Sequence, residues 1–345
     1  MAVTIHEVAK GADVSVSTVS RAFTMPEMVN AATRRKVLQV AEELGYQPNR
    51  AARGLVTGKT GNIGVVVPDV ANPFFSAMLK GCTARAREVR HVVFLADAAE
   101  DPRVEAEVVG AMAKQVDGVV LCSPRMQPAH LERLVGTTPL VLVNRDEAGL
   151  PAVLMDSGDG ARQALEHLAA LGHRRVAHLA GPPASWAGEQ RLRGLRAAAP
   201  VCDVETVELG PFPPTFQGGV QAADLALARG VTAVLAFNDL MAVGVLNRLA
   251  ARGVAVPGDI SVIGFDDIEM SAMTTEPLTT VRMPMEAAGR AAVDLLLDGL
   301  DGPDEPDGEP THRWLGTQLI VRSTTAPPRP DRAADPAARG ALAGR

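Results

Sequence analysis

Aromatic side chains are scarce, with two Trp, one Tyr and eight Phe in 345 residues, so a core must be built from Ala, Val and Leu. Cysteine is scarcer still. Cys82, Cys122 and Cys202 are odd in number, far apart and show no C-x-x-C. They argue against a disulfide framework or a thiolate metal site and predict reduced, buried thiols in the cytoplasm. No stretch reaches 18 uninterrupted apolar residues, so no membrane span is expected. The opening MAVTIHEVAK lacks a basic flank followed by an apolar run, so no secretory signal is expected. There is no G-x-S-x-G, no H-E-x-x-H and no cofactor fingerprint after the first strand, which argues against the corresponding hydrolases, metalloproteases and dehydrogenases. His130, His167, His173, His178 and His312 show no metal spacing and are expected at the surface or in turns. Neither a metal nor a cofactor is expected. Gly54-Leu-Val-Thr-Gly58-Lys59-Thr60 imitates a phosphate-binding loop, but three residues separate its glycines instead of four and a strand follows; nucleotide hydrolysis is rejected.

What is present fits a globular protein of two or three folding units: 47% hydrophobic and 21% charged residues. The net charge of -6 is unevenly placed. Residues 1–60 hold eight Lys/Arg against five acids, a balance of +3 that leaves -9 for the remainder. A basic head on an acidic body points to a polyanion-binding module attached to something else.

The head reads as three short helices. Thr4-Ile5-His6-Glu7 has the form of a capping box, and Ile5, Val8, Ala9 and Ala12 follow at helical spacing. Gly11 to Val14 forms a turn. Ser15 caps a second helix, Val16 to Phe23, with Val19 and Phe23 inward. Asn30 caps a third, burying Val37, Leu38, Ala41 and Leu44, with Gly45 as its left-handed terminus. This is a helix-turn-helix layout whose second helix is the recognition element. Ser15, Val16, Ser17, Thr18, Ser20 and Arg21 face outward. Hydroxyls and amides at a helix N-terminus suit phosphate oxygens, Arg grips the O6 and N7 edge of guanine, and Val16 touches a thymine methyl or sets fit. A solvated Ser/Thr-rich helix is the alternative for this segment alone.

Three runs carry a resemblance: TIHEVAKGADVSVSTVSRAF, TRRKVLQVAEELGYQPNRAARGL and IGVVVPDVANPFF. From Val3 to Pro73 the chain resembles, nearly without gaps, the LacI/GalR family of bacterial transcription regulators, and the likeness continues to Val321-Arg322-Ser323-Thr324-Thr325. The resemblance implies base reading by Val16, Ser17 and Arg21, and phosphate contacts by Ser15, Thr18 and Ser20. Tyr46, Pro48 and Asn49 match the turn into the family's hinge helix, here about 50–56, and Leu55 matches a leucine that wedges the minor groove. Seven residues containing Gly54 are too few for a stable isolated helix, so order is expected only against DNA and a dimer mate. The alternative for 47–60 is a plain interdomain linker.

From residue 61 onward apolar runs alternate with helical segments. Strands are expected at Ile63–Val67, Val92–Ala96, Gly118–Cys122, Leu140–Val143, Val176–Ala180, Ala233–Phe237 and Ser261–Gly264. Helices are expected at 75–89, 103–115, 158–171, 188–198, 217–229 and 239–252. Such alternation predicts α/β lobes with parallel sheets covered on both faces, and 260 residues of it predict two lobes. The resemblance implies a periplasmic-binding-protein-like body over 61–325, with crossings near 156–160, 280–285 and 312–316. The expected domains are therefore an all-α head at 1–46, a hinge at 47–60, this body, and a disordered tail at 326–345. Gly302–Pro310 reads as an acidic exposed loop.

Ligands of open parallel sheets bind at the carboxyl ends of the strands. The residues there are Asp69, Asn72 and Phe74; Asn144 and Arg145; Ser185 and Trp186; Asn238 and Asp239; and Phe265, Asp266 and Asp267. Carboxylate, amide and guanidinium groups beside an aromatic wall suit a polyhydroxylated ligand. The resemblance adds weight to Arg191, Asn238 and Asp266, and extends to Arg145 and Phe74. An interlobe salt bridge is the alternative for Arg191 and Asp266, and core packing for Trp186 and Phe265. Asp266 and Asp267 are adjacent on an extended segment and point opposite ways, which argues against paired catalytic carboxylates. The reading is a regulator, a repressor by its resemblance, whose affinity for a pseudo-palindromic double-stranded DNA operator is set by a sugar-like effector. It is cytoplasmic, on the nucleoid when bound, and a homodimer, since the tail offers no apolar seam for a coiled coil. The competing class is a sugar-processing α/β enzyme carrying a DNA-binding head.

Overall fold

The computed structural model describes residues 3–46, 59–135, 138–301 and 311–329. The chain divides into two compact units, one of residues 1–62 with 115–117 and one of the remainder. The hinge expected at about 50–56, with Asn49 and Leu55, lies outside the described residues, as do the 302–310 loop and the tail from 330.

In the first unit, α1 (Ile5–Ala12), α2 (Val16–Thr24) and α3 (Ala31–Leu44) begin and end where capping chemistry requires. The Thr4 amide donates to the Glu7 carboxylate at 2.7 Å, closing a capping box. These bonds hold the Glu7 carboxyl below its ordinary range. Ser15 accepts from the Thr18 amide at 3.1 Å and Asn30 from the Ala32 amide at 2.8 Å. Gly45, at φ 68°, supplies the left-handed end of α3. The core is Val8, Ala9, Ala12, Val19, Ala22, Val37 and Ala41. Leu44, expected inside, is 41% exposed, because it is the last residue of the helix, where the chain turns away at Gly45.

The second unit has two six-stranded sheets. The first runs β11-β5-β4-β3-β1-β2 and the second β12-β10-β9-β8-β6-β7. The strands are β1 (Asn62–Val67), β2 (Val92–Asp97), β3 (Gly118–Cys122), β4 (Leu140–Val143), β5 (Ala152–Met155), β6 (Arg175–Leu179), β7 (Glu205–Leu209), β8 (Ala233–Ala236), β9 (Ser261–Asp266), β10 (Thr279–Arg282), β11 (His312–Leu315) and β12 (Gln318–Ile320). Pairing is parallel across β1, β3, β4, β5 and β11 and across β7, β6, β8, β9 and β10, with β12 antiparallel at the far edge. The helices are α4 (Pro73–Glu88), α5 (Pro102–Met112), α6 (Pro128–Val135), α7 (Ser157–Ala170), α8 (Trp186–Cys202), α9 (Phe216–Ala228), α10 (Asp239–Ala251) and α11 (Met285–Asp301). The chain passes between sheets at 156, 283–284 and 316–317. Central strands are wholly buried runs such as β3 and β4, as burial on both faces demands.

Two expectations are corrected. His173 and His178 are buried, not in surface turns. His173 bonds Thr232, Ser261 and the Ala326 carbonyl, and burial drives the His178 imidazole down to about 4, so it is neutral. The chain is also ordered past 325: Ala326 is held by His173 and Ser261, and Arg329 pairs with Asp259 at 2.7 Å. The preceding Thr324 bonds the Val262 carbonyl and the Thr279 amide, which explains why a polar V-R-S-T-T run stitches onto the second sheet. Cys82 and Cys122 are buried with thiols pushed upward, Cys82 to about 12, whereas Cys202 is only half-buried.

Helix pairs cross at glycines. A Cβ on Gly81 of α4 would collide with the Glu286 carbonyl of α11, and one on Gly289 with the Met78 carbonyl. Main chain cannot yield as a side chain can. Gly81→Ala is therefore expected to lower unfolding stability by about 1–3 kcal/mol, while Gly110→Ala in exposed α5, with nothing near the new methyl, raises it by about 0.4–1 kcal/mol. Urea denaturation of both variants checks this, and equal effects would refute the crossing argument.

Candidate functional site

On the head, Ser15, Ser17 and Arg21 are exposed along α2, and Thr18 and Ser20 are half-buried. The Ser15 hydroxyl lies 2.8 Å from both the Ser17 and Thr18 hydroxyls, so the first turn presents a linked set of hydroxyls at a positive helix terminus. Val16 is half-buried and packs against the head's core, which limits its outward reach. Tyr46 packs on Phe23, ring centroids 5.9 Å apart. A contact that the sequence reading missed lies where the described chain resumes. Asp117 accepts the Thr60 hydroxyl at 2.8 Å, the Gly61 amide at 2.8 Å and the Thr60 amide, fixing the chain just after the expected hinge.

In the body, the strand ends of both sheets surround a small inner cavity of about 30 Å³. Its walls include Asn72, Phe74, Asn144, Arg191, Asn238 and Asp266, which the structure brings together. Three of the lining residues are helix caps. Asn72 accepts from the Phe74 amide, Ser185 from the Gly188 amide and Asn238 from the Met241 amide. Strand ends in a parallel sheet lead into helix N-termini, so the positive ends of α4, α8 and α10 converge here.

Arg191 is the buried cation of this group, 4% exposed like its neighbour Asp266. The two stand 3.8 Å apart. The guanidinium lies 3.8 Å over the Phe265 ring centroid and 4.8 Å from that of Phe237, and donates to the Phe237 carbonyl. Burial lowers Arg191 to about 10 and raises Asp266 well above the carboxylate range, an effect that Arg191 opposes. Asp239, wholly buried, is raised to about 7, first by burial, although it accepts from the Thr280 hydroxyl and the Ile268 amide. Asp267 turns away to Arg282 and Arg322. Phe265 is therefore the floor beneath Arg191 rather than a ligand wall.

Arg145 and Trp186 line neither this cavity nor the larger one beside it. Arg145 instead donates to the carbonyls of Pro124 and Met126 and pairs with Glu147, clamping the loop after β3. Buried Glu105 holds that loop from below through the Arg125 and Met126 amides, at 2.9 and 2.7 Å. What the clamp presents is Arg125, which lines both cavities and pairs with Glu100 at 2.7 and 3.1 Å. The strand-end rule applied to β3 would have found Arg125. Glu100 depends on a left-handed turn that no composition signal marks. Among the described residues no cluster of His, Cys, Asp and Glu has metal-binding form, and no helix is long and apolar enough to cross a membrane.

Comparison with known proteins places this geometry. Residues 4–49 match the profile described as bacterial regulatory proteins, lacI family, and residues 165–325 match the periplasmic binding protein-like domain. The transcriptional repressor CytR of Escherichia coli strain K12 is 34% identical over 334 residues, covering 94% of this chain and 96% of that protein. A lac repressor dimer bound to operator and the anti-inducer ONPF superposes with a TM-score of 0.83 at 29% identity, covering 94% of this chain and all of that one. A complex of the regulator CelR with cellobiose gives 0.69 at 33% identity, covering 93% and 99%. With a helix-turn-helix head, a two-sheet body and this similarity over nearly its whole length, the chain belongs to the LacI family of bacterial regulatory proteins and is a DNA-binding transcription regulator.

Proposed function

We propose that the protein is a homodimeric repressor, acting in the cytoplasm and on the nucleoid when bound, whose operator affinity is set by a neutral sugar-like effector held at the inner cavity. The domain reading is head 1–46, hinge 47–60 and a body that begins at 61 and includes residues 326–329, which are bonded to it. Ser17 and Arg21, with Val16 beside them, read bases; Ser15, Thr18 and Ser20 hold phosphates; Tyr46 and Asn49 lead into the hinge and Leu55 wedges the minor groove. The effector meets Asn72, Phe74, Asn144, Arg191, Asn238 and Asp266. A lac repressor dimer on operator and a CelR–cellobiose complex among the similar structures support the dimer, the operator and the sugar class. The similar proteins are named as regulators and not as enzymes, which disfavours the enzyme reading.

One observation carries the effector reading. The Asn144 Oδ1 and the Arg191 Nε are buried without hydrogen-bond partners, and both residues line the inner cavity. Such atoms cost on the order of 1–3 kcal/mol each when unpaired. One is an acceptor and the other a donor, and a hydroxyl satisfies both kinds at once. Occupation by a polyol therefore removes a penalty that the empty site carries. The gain is larger for the arrangement that lets the ligand in, which is what coupling to a distant site requires.

Arg21→Ala is expected to weaken operator binding by about 1–3 kcal/mol and to relax preference at one base position. Fluorescence anisotropy against single-base operator variants at fixed salt measures this, and an equal loss on every sequence would contradict base reading. Asp266→Asn is expected to abolish the ratio between operator affinities with and without the effector, and a ratio equal to that of the unaltered protein would remove Asp266 from the site. Because Asp266 accepts two hydroxyls only as a carboxylate, and burial raises its proton affinity, effector affinity should rise as the pH is raised through the titration of this carboxyl and fall as it is lowered. Calorimetric titration across a pH series tests the sign.

A further inference from the structure

The inner cavity of about 30 Å³ has room for water but not for a sugar ring. Beside it lies a second cavity of about 550 Å³, well inside the range of ordinary ligand sites. Glu100, Arg125 and Pro214 line both, so these three side chains are the partition. The larger chamber is the one with ligand dimensions, yet the polar groups expected to bind a sugar line the smaller one.

The walls of the large chamber are unusual. Pro182, Pro183, Pro211, Pro213 and Pro214 come from two loops of the second lobe, with Phe212 among them. Prolines have fixed φ and no amide hydrogen, so the walls are stiff and offer flat CH faces rather than donors. Across from them, Asp69, Glu100 and Arg125 come from the first lobe. Apolar planes on one side and bidentate carboxylate and guanidinium groups on the other suit a pyranose ring, which has a CH face and an equatorial belt of hydroxyls. Two carboxylates against one guanidinium disfavour a phosphate.

The partition is built under strain. Ala99 and Glu100 are consecutive non-glycine residues at φ 51° and 56°, a conformation costing on the order of 1 kcal/mol per residue. It is held by the Glu100 amide on the Pro68 carbonyl and the Ala99 amide on Asp97. The result sets the Glu100 carboxylate against Arg125 at the passage. That ion pair offers the donors and acceptors that a pair of sugar hydroxyls would replace.

We propose that the effector is a neutral disaccharide. One ring displaces the Glu100–Arg125 pair to reach Asn144 and Arg191, and the second rests in the proline-walled chamber. A hexose occupies on the order of 150–200 Å³ at protein packing density, so the chamber has room for the second ring. This rests on the sugar reading of the cleft given above.

The test uses the full-length protein, with thermal shift and operator release as readouts. The probes are a panel of disaccharides (cellobiose, maltose, lactose, melibiose, trehalose, sucrose), the monosaccharides D-glucose and D-galactose, and the nucleosides cytidine and adenosine. Ala184 lines the chamber from an exposed loop, so Ala184→Trp fills it, and the sugar-free Tm reports folding. The expected result is half-maximal effect at a concentration at least about tenfold lower for the best disaccharide than for either monosaccharide, an advantage that Ala184→Trp removes. A monosaccharide as effective as every disaccharide, or an Ala184→Trp protein that keeps the disaccharide advantage, overturns the two-ring proposal and leaves the sugar reading standing. A nucleoside as the sole binder, or no response to any probe, overturns both.

Discussion

A guanidinium withdrawn from water needs compensation on every side, and much of the cleft follows from meeting that need for Arg191. Two phenyl faces, the Phe237 carbonyl and the Asp266 carboxylate surround it. They are supplied by two segments of the second lobe, and the guanidinium itself by a third. Phe237 follows directly on β8, Phe265 and Asp266 end β9, and Arg191 itself lies between one and two turns into α8. The register of the parallel sheet places those strand ends side by side, so the fold and the charge are mutually dependent. Removing either partner of a buried pair leaves the other uncompensated at a cost of several kcal/mol. That compensation is incomplete. At 3.8 Å the pair is an ion contact beyond hydrogen-bond length, and Nε has no partner. The remaining capacity is what a ligand oxygen can take up.

Backbone strain gathers at the same edge. Among the described residues nine non-glycine positions have positive φ, and six of them, Ala99, Glu100, Ser123, Asn144, Asp266 and Asp267, lie at the end of a strand or within three residues of it. Each such position raises the energy of the fold slightly and survives because surrounding bonds over-determine it. Asn144 donates its amide to the Val153 carbonyl, and Ser123 to that of Val143. The left-handed turns bend the chain sharply at the strand ends, which aims the Asn144 and Asp266 side chains at the cavity instead of along the sheet. Glycine would relax the turns but leave no side chain to aim.

The central architecture was legible because its strands are apolar runs bounded by polar turns. β1, β3, β4, β6, β8 and β9 stood out for that reason, and the capping signals of the head located its three helices closely. The strands that escaped notice, β5, β7, β10, β11 and β12, are short or carry charge. Glu205 and Glu208 on β7 and His312 and Arg313 on β11 reflect edge positions with one wet face, where polar residues blunt the exposed edge. The amphipathic helix α11 carries a plain helical periodicity in Ala288, Ala292, Val293, Leu295 and Leu296, which are buried. Of the second-lobe residues at the inner cavity, Asn238 and Asp266 were legible at strand ends, and Arg191 on its helix motif. Arg145 misled because a guanidinium at a strand end serves equally to clamp a loop, and only the positions of the Pro124 and Met126 carbonyls decide between the two. Trp186 likewise begins α8 at a half-buried position away from both cavities. Nothing in its own neighbourhood in the sequence marks which way that ring turns.

Cavity size constrains how a ligand can act on this body. An inner cavity of about 30 Å³ admits water but no sugar ring, so under the proposed function groups on both lobes separate before Arg191 and Asp266 meet an effector. A ligand shifts an equilibrium only by the difference between its affinities for the two arrangements. Where one arrangement excludes the ligand from its main polar partners, that difference is close to the whole binding energy of those contacts. Three chain passages, at 156, 283–284 and 316–317, connect the lobes, and short connections of this kind confine relative motion to a few coordinates. A small inner cavity with an unmet donor and acceptor is thus the feature through which the proposed effector would act. The chemistry that stabilises a filled site is the same chemistry that penalises the empty one.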